Sequence, residues 1–124
     1  QIIKQMAFFD SSIDCIVIPQ SVISIGIGAF SSCSKLRKVL MPTNSKLKDL
    51  QDESFCNSGI TSLYIPPHVC HIGKKTFESC YDLGILEFDE NSEIRTVDIR
   101  MFDEELITIL MIPNKLSFNL NLDH

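Results

Sequence analysis

The sequence lacks tryptophan, has only two tyrosines and contains no long apolar run. Its longest apolar stretch, from Ile107 to Ile112, includes Thr108 and is far too short to span a bilayer as a helix. Basic residues number 11 against 16 acidic residues, and the net charge of −5 argues against binding of phosphate backbones through bulk positive charge. We therefore expect no membrane insertion by this segment and no nucleic-acid partner.

Motifs for cofactor chemistry are missing as well. The glycines do not form a nucleotide-binding fingerprint, and the acidic residues lack the alternating spacing of a calcium loop. The chain begins at Gln1 with neither a methionine nor an apolar leader, which is typical of a fragment or a processed piece. Apolar residues make up 44% of the 124 residues and charged residues 22%, a composition that favours a folded domain or part of a longer array.

Phenylalanine recurs at regular intervals along the chain. Successive members of the series are 22, 25, 22 and 25 residues apart, so that alternate members are separated by 47 residues. Three prolines, Pro19, Pro66 and Pro113, keep the same interval of 47. Such self-similarity at a fixed period predicts a repeat architecture. The phenylalanines of the series are Phe8, Phe30, Phe55, Phe77 and Phe102.

Each phenylalanine is followed by a polar turn and then by three apolar residues at positions i, i+3 and i+5, usually with proline next. The last two members alternate with an outward residue, which predicts a short strand that the proline ends. The triplets are Ile13/Ile16/Ile18, Leu36/Val39/Met41, Ile60/Leu63/Ile65, Leu83/Leu86/Phe88 and Ile107/Leu110/Ile112.

A second extended segment precedes each phenylalanine, as in the stretch 22–26. We expect Gly26 and Gly73 to take positive φ at a sharp corner, and the stretch from Ile27 to Phe30 to form about one turn of 3₁₀ helix. A unit this small cannot bury its own apolar face, so stacked units must cover one another. The phenylalanines and the triplets should then form continuous columns inside a solenoid.

The unit has a recognisable form over residues 18–36: Ile18-Pro19, Val22, Ile25-Gly26, Ala29-Phe30, Cys33 and Leu36. Residues 65–83 repeat this form, with Thr76 in place of the alanine. The pattern closely resembles the BspA-like leucine-rich repeat. The resemblance implies a single leucine-rich-repeat solenoid segment over residues 1–124. It would hold about five repeats of alternating 22 and 25 residues, mostly β and right-handed, with a parallel sheet on the concave side and short 3₁₀ turns elsewhere.

The same resemblance implies a cell-surface or extracellular protein that acts in adhesion or protein recognition. It provides no catalytic residue, cofactor or metal ligand to carry over, so we expect a non-enzymatic module. The alternative is a structural spacer array that presents another domain and has no ligand of its own.

The outward residues of the predicted concave strands are the candidates for binding a protein or another cell-surface macromolecule. One row is mostly apolar, and an exposed apolar row across a sheet is typical of a protein-binding surface, although strand propensity alone also favours such residues. Self-association through this face or through exposed terminal strands is a further alternative. The first row is Val17, Leu40, Tyr64, Glu87 and Met111, and the second is Cys15, Lys38, Ser62, Ile85 and Ile109.

The remaining reactive residues have structural interpretations. Cys33 and Cys80 occupy equivalent places two units apart, which is too far for a disulfide and predicts small core residues. A disulfide from Cys56 to a neighbour is left open. The cluster of His68, Cys70 and His71 has no second ligand pair in register, so it predicts a solvated rim and not a zinc site. The serines that follow the phenylalanines predict turn chemistry.

Overall fold

The computed structural model describes residues 1–94, 96–102 and 117–119, and within them the chain forms short parallel strands and one 3₁₀ turn. No α-helix occurs in these ranges, and none of their segments is a helix of the length and hydropathy that crossing a membrane requires. The elements are β1 (Ile2–Ile3), β2 (Cys15–Val17), β3 (Ser24–Ile25), β4 (Lys38–Leu40), β5 (Asp49–Leu50), β6 (Ser62–Ile65), β7 (His71–Ile72), β8 (Ile85–Phe88), β9 (Thr96–Asp98), η1 (Ile99–Met101) and β10 (Ser117–Asn119).

The strands arrange the chain as a solenoid, and we call each turn of it a coil. The first coil contains β1, Phe8 and β2; the second contains β3, Phe30 and β4. The third and fourth, with Phe55 and Phe77, repeat this order, and β9 with Phe102 belongs to the fifth. Strands β1, β3, β5 and β7 form one continuous parallel sheet. On the other side, β2 pairs with β4 and β6 pairs with β8, both in parallel.

The phenylalanine series forms a stacked column inside the solenoid. Ring centroids of Phe8 and Phe30 are 5.1 Å apart, and those of Phe30 and Phe55 are 5.2 Å apart, with interplanar angles of 2° and 9°. The column continues through Phe77 to Phe102 at 6.4 and 5.6 Å. Phe30, Phe55 and Phe77 are fully buried, so the prediction that like side chains form interior columns is confirmed.

The polypeptide around each phenylalanine follows one hydrogen-bonding scheme. Every second N–H group donates to the next coil, as Phe8 N does to Ala29 O at 2.8 Å and Phe30 N does to Ser54 O at 2.8 Å. The N–H groups between them close tight turns, as Ala29 N does to Gly26 O at 3.1 Å. In place of the predicted 3₁₀ helix, the chain forms a series of single hydrogen-bonded turns. A continuous 3₁₀ helix cannot form because every second N–H group donates to the next coil.

This scheme requires left-handed backbone at two places in each of the first four coils, namely two residues before and two residues after the phenylalanine. The φ angles there lie between 57° and 63°. Only one of the eight positions is a glycine, although the left-handed region is costly for other residues. At seven of the eight, the N–H group donates to the next coil and so fixes the conformation. These seven are Met6, Asp10, Gly28, Ser32, Glu53, Asn57 and Lys75, and Ser79 is the eighth position.

The prediction for Gly26 and Gly73 is wrong, because neither has a positive φ. Both are glycines because the preceding coil approaches closely. A Cβ at Gly26 would lie 2.6 Å from Gln5 N, and one at Gly73 would lie 2.5 Å from Asp52 N. Side chains at these positions would force adjacent coils apart, whereas the positive φ falls at Gly28.

Buried side chains fill the space between the four-stranded sheet and the strand pairs on the other side of the solenoid. The predicted inward residues of β4, β6 and β8, among them Val39, Leu63 and Leu86, are buried. Their counterparts in the first coil, Ile13 and Ile16, are half-buried. The triplet at Ile107, Leu110 and Ile112 lies outside the residues that the structure describes.

Candidate binding face

Strand register places the predicted outward residues side by side. Val17 is paired with Leu40 and Cys15 with Lys38. Tyr64 is paired with Glu87 and Ser62 with Ile85. We call these eight residues the Tyr64 face. Two further predicted members, Ile109 and Met111, lie outside the described residues.

The Tyr64 face exposes large apolar side chains to solvent. Val17 is 62% exposed, Leu40 50% and Ile85 45%. Strands β4 and β8 each contribute two outward residues, and these four residues form a rectangle with β6 in the middle. Leu40 and Ile85 lie at two opposite corners of this rectangle, and Lys38 and Glu87 lie at the other two. Exposed apolar side chains grouped on one surface, with polar or charged groups at the border, are typical of recognition surfaces.

Tyr64 lies at the centre of this face, on β6, and is half-buried. Its hydroxyl donates a hydrogen bond of 2.6 Å to Asp89 Oδ2. Burial, the hydrogen bond to Asp89 and the nearby charges of Asp89 and Glu87 raise the pKa of Tyr64 to about 12. The phenol is neutral at physiological pH, and its hydrogen bond to Asp89 orients the ring. Asp89 takes the place that proline has after the other three described strands of this side, at Pro19, Pro42 and Pro66.

A groove of about 560 Å³ opens on this face between β4 and β6. Its walls combine aliphatic, aromatic and hydroxyl side chains with the Lys38 ammonium group and the Glu87 carboxylate. The small side chain of Ser62 leaves a depression beside Tyr64. The lining includes Lys38, Leu40, Met41, Ser62, Tyr64 and Ile85.

The groove arises because the strands pair two by two. Hydrogen bonds of 2.8 and 2.9 Å flank the β2–β4 pair (Ile18 N to Leu40 O and Arg37 N to Asp14 O). Between β4 and β6, Thr61 N reaches Arg37 O only at 3.4 Å, and within the described residues no strand pairing joins these two strands. The sheet predicted to be continuous on this side is thus divided into two ribbons.

Arg37 ties the two ribbons together at the start of the groove. Its guanidinium donates to Ser34 O at 3.1 Å and to Gly59 O at 2.8 Å, and it lies 3.8 Å from Asp82 Oδ2. Gly59 makes room for this crossing, because a Cβ there would collide with the Arg37 guanidinium and with Ser34 O.

A second cavity, of about 510 Å³, lies beside β7, and its aspartates already have hydrogen-bond partners. Arg100 donates to Asp98 Oδ2 at 2.6 Å, and the Lys74 N–H donates to Asp52 Oδ1 at 2.9 Å. His71 also lines the cavity. In the described part of the chain, no group of three or more His, Cys, Asp or Glu side chains is placed to hold a metal ion.

The cluster of His68, Cys70 and His71 does not converge on one point. His68 Nδ1 lies 3.6 Å from Glu93 Oε1, and the Cys70 thiol lies 3.5 Å from Lys48 O. All three residues are exposed, as predicted for a solvated rim.

The cysteines form no disulfide, so the alternative of a bridge from Cys56 is wrong. Cys33 and Cys80 are fully buried core residues, as predicted. Each thiol lies 3.0 Å from the carbonyl oxygen of the phenylalanine one coil earlier, Phe8 for Cys33 and Phe55 for Cys80. Burial raises the pKa of the Cys33 thiol, which keeps it protonated as a donor.

The serines act in turns, as predicted. Ser11 Oγ accepts a hydrogen bond of 3.2 Å from Ile13 N, and Ser45 Oγ accepts one of 3.1 Å from Leu47 N. Sequence reasoning missed the role of Asp89 and the groove itself. A signal for the groove was present, because the centres of the strands, Ile16, Val39, Leu63 and Leu86, are separated by 23, 24 and 23 residues.

The stacked coils and their columns define a leucine-rich-repeat solenoid. The family model described as the BspA type leucine rich repeat region matches residues 1–121 with six copies, so the chain belongs to this family. No match was found among curated proteins.

Solved structures give the same result. A leucine rich cell surface protein from Faecalibacterium prausnitzii is 28% identical, with a TM-score of 0.65 over 73% of this chain and 23% of that one. The pneumococcal vaccine antigen PcpA is 30% identical, with a TM-score of 0.74 over 76% of this chain and 24% of that one. The T. pallidum leucine rich repeat protein shares the fold at 20% identity, with a TM-score of 0.62 over 94% of this chain and 65% of that one. The chain therefore spans about a quarter of the length of the first two relatives.

Proposed function

We propose that this segment is a non-enzymatic recognition module of a cell-surface or secreted protein and that it binds a protein partner through the Tyr64 face. The observation that carries the proposal is the group of exposed apolar side chains, Val17, Leu40 and Ile85, on the same face as a tyrosine whose hydroxyl is held by a hydrogen bond. Names of similar structures support a surface location, since one is a leucine rich cell surface protein and another a pneumococcal vaccine antigen.

The physical advantage of this face is its rigidity. Its strands are held by parallel pairing and by the buried phenylalanine column, so binding requires little ordering of the backbone. A preorganised surface loses less entropy on association than a flexible one. A tyrosine with a fixed hydroxyl next to exposed aliphatic groups is the kind of residue that dominates interface energetics.

The test is a pair of matched substitutions measured on an array of immobilised extracellular proteins. Leu40→Asp places a charge on the face beside the groove, whereas Ile23→Asp places one on an isoleucine that is 42% exposed and outside the face. We expect partners of the unmodified protein to bind Leu40→Asp at least about tenfold more weakly and Ile23→Asp unchanged. Thermal unfolding of both variants checks that the fold is retained.

Partners that bind Leu40→Asp as well as the unmodified protein would overturn the proposal. The absence of any partner on the array, with both variants folded, would favour the spacer alternative instead.

A further inference from the structure

We infer that the Tyr64 face takes an extended peptide segment in which an acidic, an apolar and a basic side chain follow one another at every second position. This inference rests on the proposed function and specifies the partner chemistry. It comes from the arrangement of four corner residues around β6: charges lie on one diagonal, Lys38 and Glu87, and aliphatic groups on the other, Leu40 and Ile85.

The two charges on this face are available to a ligand. Lys38 and Glu87 are exposed, and within residues 1–94, 96–102 and 117–119 neither side chain forms an ion pair or a hydrogen bond. The neighbouring Arg37, by contrast, is engaged with Ser34 O, Gly59 O and Asp82. An occupant that leaves Lys38 and Glu87 without partners would bury charge at a cost, so both corners select a complementary charge.

The spacing of the corners fits an extended chain. Across the strands, Lys38 and Glu87 are separated by the ~4.8 Å interval of the β6–β8 pair and by the unpaired interval from β4 to β6, which is no shorter. Along the strands they are offset by two residues of ~3.3 Å rise, so that their separation is at least about 12 Å. In an extended peptide, the side chains of residues i and i+4 share one face and are about 13 Å apart. A peptide that crosses β6 diagonally can therefore place an acidic residue at Lys38 and a basic residue at Glu87.

The middle of that diagonal lies over β6, where Ser62 and Tyr64 line the groove. Residue i+2 of the peptide would lie over the depression at Ser62, next to the Tyr64 ring and between Leu40 and Ile85. An aliphatic or aromatic side chain fills such a depression best, because the surrounding carbon atoms lose contact with water. The opposite charges at the two ends also fix the direction of the peptide.

A peptide library displayed on phage tests this inference directly. Random heptapeptides are selected on the unmodified protein, with the Leu40→Asp variant used to remove binders of other surfaces. We expect the enriched sequences to carry an acidic residue, an apolar residue and a basic residue at alternate positions, with one order of the two charges predominating. The synthetic consensus peptide and a version with its two charged residues exchanged then serve as probes.

Reversal of the protein charges gives the decisive measurement. The double variant Lys38→Glu/Glu87→Lys should prefer the exchanged peptide, and each single variant should weaken the consensus peptide about fivefold or more. Raising the salt concentration from about 0.05 M to about 0.5 M should weaken both matched pairs. Ser62→Tyr, which fills the depression, should abolish binding of both peptides while the protein remains folded.

The outcomes separate this inference from the proposed function. Enriched peptides that lack the charge pattern, or that bind the charge-reversed variant unchanged, overturn the charge-paired peptide and leave recognition through the Tyr64 face intact. Failure to enrich any peptide over Leu40→Asp also overturns the inference, while the array experiment decides the proposed function separately.

Discussion

The Tyr64 hydroxyl lies 2.6 Å from Asp89 Oδ2 and joins the middle of β6 to the residue that follows β8. The other oxygen of Asp89 accepts a hydrogen bond of 2.8 Å from Asn91 N in the turn. One carboxylate thus orients the central ring of the Tyr64 face and closes the loop beside it. Asp89 departs from the proline that is usual after these strands, and the departure has a clear structural effect.

We expect Tyr64 to ionise with a pKa of about 12 and not at the ordinary value near 10. The sequence contains one other tyrosine, Tyr81, and no tryptophan, so a Tyr81→Phe variant isolates the Tyr64 signal in an ultraviolet absorbance titration. Asp89→Asn in that background should lower the midpoint, because it removes the negative charge beside the phenol. A midpoint that does not move would show that Asp89 has no influence on the ring.

The same pKa sets a window for stability. Because the folded state raises the pKa of Tyr64, its contribution is fully present below about pH 10 and is lost as the pH rises towards about 12. Denaturant unfolding at several alkaline pH values should show this loss in the unmodified protein and less of it in Tyr64→Phe. Equal slopes for the two proteins would contradict the expectation.

Substitution of Cys80 tests the thiol contact between coils. Cys80→Ala removes a buried side chain and the hydrogen bond to Phe55 O, and we expect it to lower the free energy of unfolding by about 1–2 kcal/mol. Cys15→Ala, at an exposed position, should change it by less than about 0.5 kcal/mol. Similar values for the two variants in urea unfolding would mean that the Cys80 thiol contributes nothing specific.

The phenylalanine column should be most sensitive at its centre. Phe55 is fully buried between Phe30 and Phe77, so Phe55→Ala should lower the free energy of unfolding by about 3–5 kcal/mol. Phe8 is only half-buried at the end of the column, and Phe8→Ala should cost clearly less. Thermal or chemical unfolding that ranks Phe8→Ala as the more damaging change would contradict this expectation.

Substitution of Gly59, with Gly84 as the matched control, tests how closely Arg37 packs against the residue before β6. A Cβ at Gly59 would collide with the Arg37 guanidinium and with Ser34 O, whereas the nearest atom to a Cβ at Gly84 is Thr61 O at 4.0 Å. Gly59→Ala should therefore destabilise the protein, while Gly84→Ala should be neutral or stabilise it by up to about 1 kcal/mol. The melting temperatures of the two variants provide the measurement, and a tolerated Gly59→Ala would remove the argument for a tight crossing at Arg37.

The recurring residues predicted most of the fold because each has the same local task in every coil. The Phe8 to Phe102 series predicted the stacking order, because intervals that alternate between 22 and 25 residues place equivalent rings in successive coils. Gly26 was misinterpreted because a glycine needed for positive φ and one needed for close approach are indistinguishable in a single sequence. The outward rows could be predicted from alternation along strands such as β6.

The groove and the Tyr64–Asp89 contact depend on how neighbouring coils are placed relative to each other, which the sequence of one repeat does not determine. The distance between β4 and β6 follows from how coils of unequal length settle on each other, and the only trace in the sequence is a one-residue difference in strand spacing. The contact joins residues 25 positions apart and required the register of β6 and β8. Tertiary geometry therefore decided the features that matter most for recognition.

Coils with Ser11 or Ser58 three residues after the phenylalanine alternate with coils that have Cys33 or Cys80 there, and the strands pair in the same rhythm. If the solenoid were shortened or lengthened, serine coils and cysteine coils would continue to alternate only if two adjacent coils were removed or added together. Loss of one coil would bring two coils of the same kind together, and loss of a cysteine coil would also remove the thiol that contacts a phenylalanine carbonyl. A designer who changes the length of this solenoid should therefore add or remove two coils at a time.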